Sequence, residues 1–245
     1  RECGPQVLDP ERLNRGAIAT YTNDGMLVNW RWLATDPDDI AFNIYRDGTK
    51  LNTLPLSSRT NYLDAEGSVN SNYTVEALSA GKVVETAAAL VLEKGYLNIP
   101  LDRPQGGTVQ GSSYTYTPGD ASVGDVDGDG EYEIILKWDP TNQCDNGQNG
   151  SQNYTGNVYL DCYKLNGTKL WRIDLGVNIR AGAHYTQFMV YDLDGDGKAE
   201  VACKTAPGTI DGQGNHVIMG SDDPTADYRG TYGGKKGVIK TGPEY

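Results

Sequence analysis

Phenylalanine occurs only twice and methionine three times in 245 residues, and 21 Lys and Arg stand against 33 Asp and Glu. The resulting formal net charge of −12 excludes nucleic acid as a partner, because the phosphates would be repelled, and disfavours an anionic membrane surface. No apolar run approaches the roughly 20 residues that a spanning helix needs, so no membrane association is expected. The cysteines Cys3, Cys144, Cys162 and Cys203 form no CxxC pair and no zinc spacing, which argues against a metal–thiolate site. Cys144 and Cys162 would close a short loop as a disulfide if their strands are neighbours; buried thiols are the alternative. No signal peptide is visible. The chain starts at Arg1 without Met, as a processed secreted protein or a trimmed chain would, and an extracellular, monomeric protein is expected.

Glycine at 31 residues and tyrosine at 16 are abundant, and hydrophobic residues make up 38%. Many turn formers with many Tyr and Val favour short strands joined by tight turns. Residues 1–15 read as a leader. Over 16–95 the pattern alternates: Met26, Val28, Trp30 and Trp32, then Ile40, Phe42 and Ile44, then Tyr73, Val75 and Ala77. With "RDG" after Tyr45 as a turn, this predicts an antiparallel sandwich. An early Trp followed by "YRDG" and "YTVEA" resembles a fibronectin type III module. The plainer alternative is the first strands of a larger β domain.

From about residue 96 a different region runs to Tyr245. Within it "GDVDGDGEYEIILKWD" (124–139) returns as "YDLDGDGKAEVACKTA" (191–206), with "NVYLDCYKLNGTKLWRIDLG" (157–176) between them as strand, "NGT" hairpin turn, strand. Repeated strand–loop–strand units suggest propeller blades, although a closed ring needs four to eight.

Each repeat opens on an acidic loop. Oxygen donors at positions 1, 3 and 5 converge on one cation when Gly at 4 and 6 lets the backbone curl. The first loop supplies Asp125, Asp127 and Asp129, the second Asp192, Asp194 and Asp196. Hard oxygen ligands favour Ca²⁺. A helix–loop–helix site needs a carboxylate at position 12, where Leu136 and Cys203 stand instead. Glu133 and Glu200 at position 9 open β-type sequence, which fits a blade loop, so the expected cofactor is several Ca²⁺ ions that hold the fold and do no chemistry.

The stretch from "DVDGDGEYEIILKWDPTNQCDN" to "WRIDLGVNIRAGAHYTQFMVYDLDGDGKAEVACKTAPGT", with "ADYR" (226–229) and "GPEY" (242–245), closely resembles the rhamnogalacturonan lyases of polysaccharide lyase family 11, over about residues 11–245. The resemblance implies an all-β chain: a fibronectin III-like β-sandwich module (16–95), then the first blades of a calcium-stapled β-propeller (96–245), eight-bladed in the full family. It implies β-elimination at galacturonate in rhamnogalacturonan I, with the catalytic base beyond Tyr245 and the "NGTK" at 166–169 a mere turn. The substrate being acidic, a cation or a local basic group must bridge it to an acidic protein.

Candidate substrate contacts lie at strand ends, where propellers place ligands. They are Asp139, Asn142, Asp145 and Asn146 in "KWDPTNQCDN", with Arg180, His184 and Lys204. Arg180 is suited to a bidentate carboxylate contact, and His184 to orienting a sugar or a carboxylate. Tyr185 and Trp138 are either sugar-stacking groups or buried blade aromatics. Lys137 and Tyr163 read as solvent-facing, and His216 as an ordinary loop residue. Two other functions compete with the lyase: a non-catalytic, calcium-stabilised carbohydrate-binding or structural fragment, and an integrin-like adhesion propeller. The long "RAGAHYTQFMVYDLDGDG" stretch counts against the latter.

Overall fold

A computed structural model describes residues 12–145 and 154–245. Cys3 and Asn146 lie outside the described residues. The described chain is all-β, with eighteen strands. It divides into two compact units: one of the residues up to Asn98 with the loop tips Asp127–Glu131 and Asp194–Gly197, the other of Ile99–Val126, Tyr132–Leu193 and Lys198–Tyr245.

The first unit contains β1 (Ile18–Thr22), β2 (Gly25–Asn29), β3 (Ala41–Arg46), β4 (Thr49–Lys50), β5 (Asn61–Asp64), β6 (Tyr73–Ser79), β7 (Lys82–Ala88) and β8 (Leu90–Leu92). They form two four-stranded sheets, ordered β5-β2-β1-β8 and β4-β3-β6-β7. Every pairing is antiparallel except β1 with β8. The alternating residues Met26 and Val28, Phe42 and Ile44, and Tyr73, Val75 and Ala77 enter one shared core, so the two sheets make a sandwich. Trp30 joins that core, whereas Trp32 is about half exposed and meets Phe42 edge-on. Asp47 and Gly48, with φ of 49° and 80°, make the two-residue turn that "RDG" predicts, both in the left-handed region such a hairpin requires. Arg15, at the end of the expected leader, is buried in this unit, with its guanidinium on Asp36 at 2.6 Å and on Glu85 at 2.7 Å.

The second unit opens with the hairpin β9 (Gly107–Val109) and β10 (Ser112–Tyr114). Next comes a four-stranded antiparallel meander of β11 (Tyr116–Gly124), β12 (Glu133–Pro140), β13 (Tyr159–Tyr163) and β14 (Lys169–Asp174). Two hairpins follow, β15 (Phe188–Tyr191) with β16 (Glu200–Cys203), and β17 (Arg229–Tyr232) with β18 (Lys235–Ile239). Gly124 lets β11 approach its neighbour closely, since a Cβ there would lie 2.6 Å from that of Ala199. The "NGT" turn joins β13 to β14, with Gly167 at φ 87°.

One expectation is corrected here. Lys137 and Tyr163 are not solvent-facing: they are 3% and 0% exposed. From Ile135 to Pro140 every residue of β12 is buried, because this central strand is covered on both faces and has no solvent side to alternate with. Of the two alternatives for Cys144 and Cys162, the second holds: both are buried thiols.

Asp161 organises this sheet. It is fully buried, and its carboxylate accepts hydrogen bonds from Trp138 Nε1 at 2.8 Å, Tyr163 Oη at 2.5 Å, and Arg172 Nε and Nη2 at 2.6 Å each. Burial, and then the Asp161 carboxylate, push the Tyr163 phenol up to about 12.

Candidate metal loops and substrate end

The two acidic loops are built alike. Gly128 and Gly130 take φ of 80° and 88°, and Gly195 and Gly197 take 75° and 93°. The left-handed turns at positions 4 and 6 fold each loop back on itself. At position 9, Glu133 accepts from the Val126 amide at 2.9 Å, and Glu200 from the Leu193 amide at 2.8 Å. Asp127 accepts from the Asp129 amide at 3.2 Å, as Asp194 does from Asp196 at 3.1 Å.

Carboxylate oxygens of Asp192, Asp194, Asp196 and Glu200 lie within 4.8 Å of one another, as do those of Asp125, Asp127 and Glu133. Asp129, the fourth candidate of the first loop, is not in that cluster; its Oδ1 caps the Glu131 amide at 2.9 Å. Asp125 and Glu133 are each 1% exposed. Like charges buried this close repel and lose hydration, so they call for a positive charge among them. Lys164 Nζ stands 3.8 Å from Glu133. The donors are carboxylate oxygens without sulfur or imidazole, which suits a hard divalent cation.

The meander separates these loops from the candidate substrate residues. The first acidic loop joins β11 to β12, while β12 runs out through Asp139, β13 enters at Tyr159 and β14 leaves at Asp174. Antiparallel strands therefore put Asp139 and the segments holding Asn142, Asp145, Arg180 and His184 at the opposite end. The Ala199 amide donates to the Asp125 carbonyl at 2.8 Å, which keeps the second acidic loop with the first and leaves Lys204, past the far end of β16, with the others.

At that end Asp139 is 7% exposed, and burial raises its pKa against the pull of Lys137. Its Oδ1 is buried without a hydrogen-bond partner, and Lys137 Nζ, at 3.9 Å, is too far to supply one. Lys137 binds Asp120 at 2.6 Å instead, which a bulge between Pro118 and Ala121 swings toward it. Sequence reasoning missed the pairing of Asp120 with Lys137: the two stand 17 residues apart and no local motif marks them as neighbours.

Arg180 is 7% exposed and spends its donors on the protein: Nε on the Cys144 carbonyl at 3.1 Å, Nη1 on the Gly237 carbonyl at 2.6 Å, Nη2 on Cys144 Sγ at 2.7 Å. Asn142 staples its loop, donating to Ser112 and to the Tyr154 carbonyl and accepting from the Gly156 amide. His184 is exposed, with Nδ1 at 2.5 Å from Asp145 Oδ2. Lys204 pairs with Glu244 at 3.1 Å; both line a cleft of about 130 Å³ with Asn178, Arg180, Tyr185 and Ile239. Trp138 is buried, Tyr185 half-buried and His216 exposed.

Comparison with known proteins bears on this arrangement. Residues 96–245 match the family described as "Rhamnogalacturonan lyase family 11, C-terminal domain", and residues 9–91 match "Rhamnogalacturonan I lyases beta-sheet domain". The chain is 56% identical over 237 residues to the rhamnogalacturonan endolyase YesW of Bacillus subtilis, covering 96% of this chain and 36% of YesW. It is 53% identical over 243 residues to the rhamnogalacturonan exolyase YesX of the same organism, covering 98% and 38%. The crystal structure of YesX superposes with a TM-score of 0.87 at 52% identity, over 98% of this chain and 38% of that one. The chain thus spans little more than a third of the length of the curated relatives it matches.

Proposed function

The chain belongs to rhamnogalacturonan lyase family 11, and from that premise we propose that it forms the N-terminal part of a secreted, monomeric, calcium-dependent rhamnogalacturonan lyase. The reaction is β-elimination at galacturonate in rhamnogalacturonan I. A base removes the proton on C5, the bond from C4 to its glycosidic oxygen breaks, a C4–C5 double bond forms, and the leaving oxygen takes a proton. The observation that carries the reading is the identity, across nearly the whole chain, to two proteins named as rhamnogalacturonan lyases, one an endolyase and one an exolyase.

The sandwich is the fibronectin III-like module, and the meander with the β15–β16 hairpin belongs to the first blades of the propeller. The acidic loops hold calcium as a staple between strands, the first through Asp125, Asp127 and Glu133, with Asp129 shaping the loop and turning in when the ion binds, the second through Asp192, Asp194, Asp196 and Glu200. Asp139, Asn142, Asp145, Asn146, Arg180, His184 and Lys204 contribute to the substrate end. The test is to incubate the full-length protein with rhamnogalacturonan I and calcium and to follow the ultraviolet absorbance of the unsaturated product. No rise sinks the lyase reading.

The coverage of little more than a third of each relative favours a second reading for this chain taken by itself: a calcium-stabilised carbohydrate-binding part without turnover. The same assay on residues 1–245 alone separates the two.

A further inference from the structure

Among the candidate residues, His184 and Asp145 are held in an unusual way. The His184 side chain is 77% exposed, yet its Nδ1 lies 2.5 Å from Oδ2 of Asp145, whose side chain is 12% exposed. The main chain leading into each of the two residues is fixed. The Cys144 amide donates to the Ala181 carbonyl at 3.1 Å, and Arg180 grips the Cys144 carbonyl and sulfur while anchored on the Gly237 carbonyl. Gly182 lies directly beneath: a Cβ there would fall 2.4 Å from Asp145 Oδ1, so only glycine lets the carboxylate settle where it does.

This arrangement carries two costs. Burying a carboxylate sacrifices hydration, and fixing a surface imidazole sacrifices rotamer freedom. An imidazole so exposed returns little packing energy to offset them. What the arrangement achieves is presentation: Nδ1–H donates to Asp145, the tautomer is set, and Nε2 is offered outward as an acceptor. It stands at the strand end where Asp139 and Lys204 also lie, next in sequence to Tyr185 of the small cleft.

We propose that His184 is a substrate-positioning residue whose Nε2 accepts a hydrogen bond from a sugar hydroxyl of the polysaccharide, and that Asp145 acts through His184 rather than as a sugar or cation ligand itself. This rests on the lyase reading. In the full-length protein, H184A raises the KM for rhamnogalacturonan I by about three- to tenfold, the worth of one hydrogen bond, with kcat within about twofold; it also lowers Tm, because the Asp145 carboxylate, 12% exposed, loses its partner, and the H184A/D145N double variant, which removes that charge, recovers Tm but not KM. D145N, which preserves the shape, raises KM by less, and adding it to H184A raises KM no further. A merely structural role would let KM recover together with Tm in that double variant. If wild type is active and H184A leaves KM unchanged, or if D145N still raises KM in the H184A background, the proposal is wrong while the lyase reading stands. If wild type gives no unsaturated product, both are wrong.

Discussion

The amide of Ala199 donates a hydrogen bond to the carbonyl of Asp125 at 2.8 Å. One residue is the first ligand candidate of one acidic loop and the other sits beside Glu200 of the second, so the ordering of either loop bears on its neighbour. A cation bound only by the folded loop adds RT ln(1 + [L]/Kd), about 2.7 kcal/mol per site at a hundredfold excess over Kd. Chelation with EDTA is therefore expected to lower the melting temperature by several degrees. Calcium should restore it, and magnesium should do so less well, since its small octahedral shell fits a flexible carboxylate loop poorly. Thermal melts with and without chelator decide the matter; an unchanged melt removes the stapling role.

Asp161 gives a second expectation. Asp161→Ala leaves Arg172, Trp138 and Tyr163 without their shared acceptor in a sheet that buries all but the guanidinium edge. Removing one partner of a buried ion pair costs about 3–5 kcal/mol. Tyr163→Phe removes one donor and leaves the carboxylate well served, at about 1 kcal/mol. Urea denaturation should rank the two variants in that order by midpoint.

The sandwich was legible in the sequence because one face of each strand meets solvent. Tyr73, Val75 and Ala77 alternate with Thr74 and Glu76, and only the first three are buried. The same rule misplaced Lys137 and Tyr163, since β12 and β13 are covered on both faces and alternation there carries no information. The acidic loops were legible as local motifs, down to the curl at their glycines. The surroundings of Asp139 were not: Asp120 reaches Lys137 only because a bulge shifts the register of β11, and a bulge leaves no periodic trace. Nor does sequence spacing bring Asp145 to His184, which depends on where a long loop returns.

The pH dependence at Asp139 has a definite sign. Burial raises its pKa, so the folded state holds the proton more tightly than the unfolded chain does. The stability this contributes is present below the unfolded carboxylate pKa, near 3.9, and is lost as pH rises through the folded value. At neutral pH the buried charge is a burden that Asp139→Asn relieves. The variant should melt higher than wild type at pH 7, with the difference closing below the ordinary carboxylate range, and should lose lyase activity if Asp139 contacts the sugar. Melts at the two pH values test the sign, and an advantage that is larger in acid refutes it.

Gly119 tests the same carboxylate from the other side. A Cβ there would lie 2.2 Å from Asp139 Oδ2, closer than any side chain tolerates, and 3.2 Å from Lys137 Cε, a tight contact. Gly119→Ala must therefore push the Asp139 carboxylate aside or open the bulge, at about 1–3 kcal/mol for an overpacked site. If the clash is with this carboxylate, removing it removes the cost: Gly119→Ala should destabilise the wild type clearly and the Asp139→Ala background much less. The interaction energy from this double-mutant cycle reports the contact directly. Equal costs in the two backgrounds would mean that Gly119 is required by the bulge in β11 and not by Asp139.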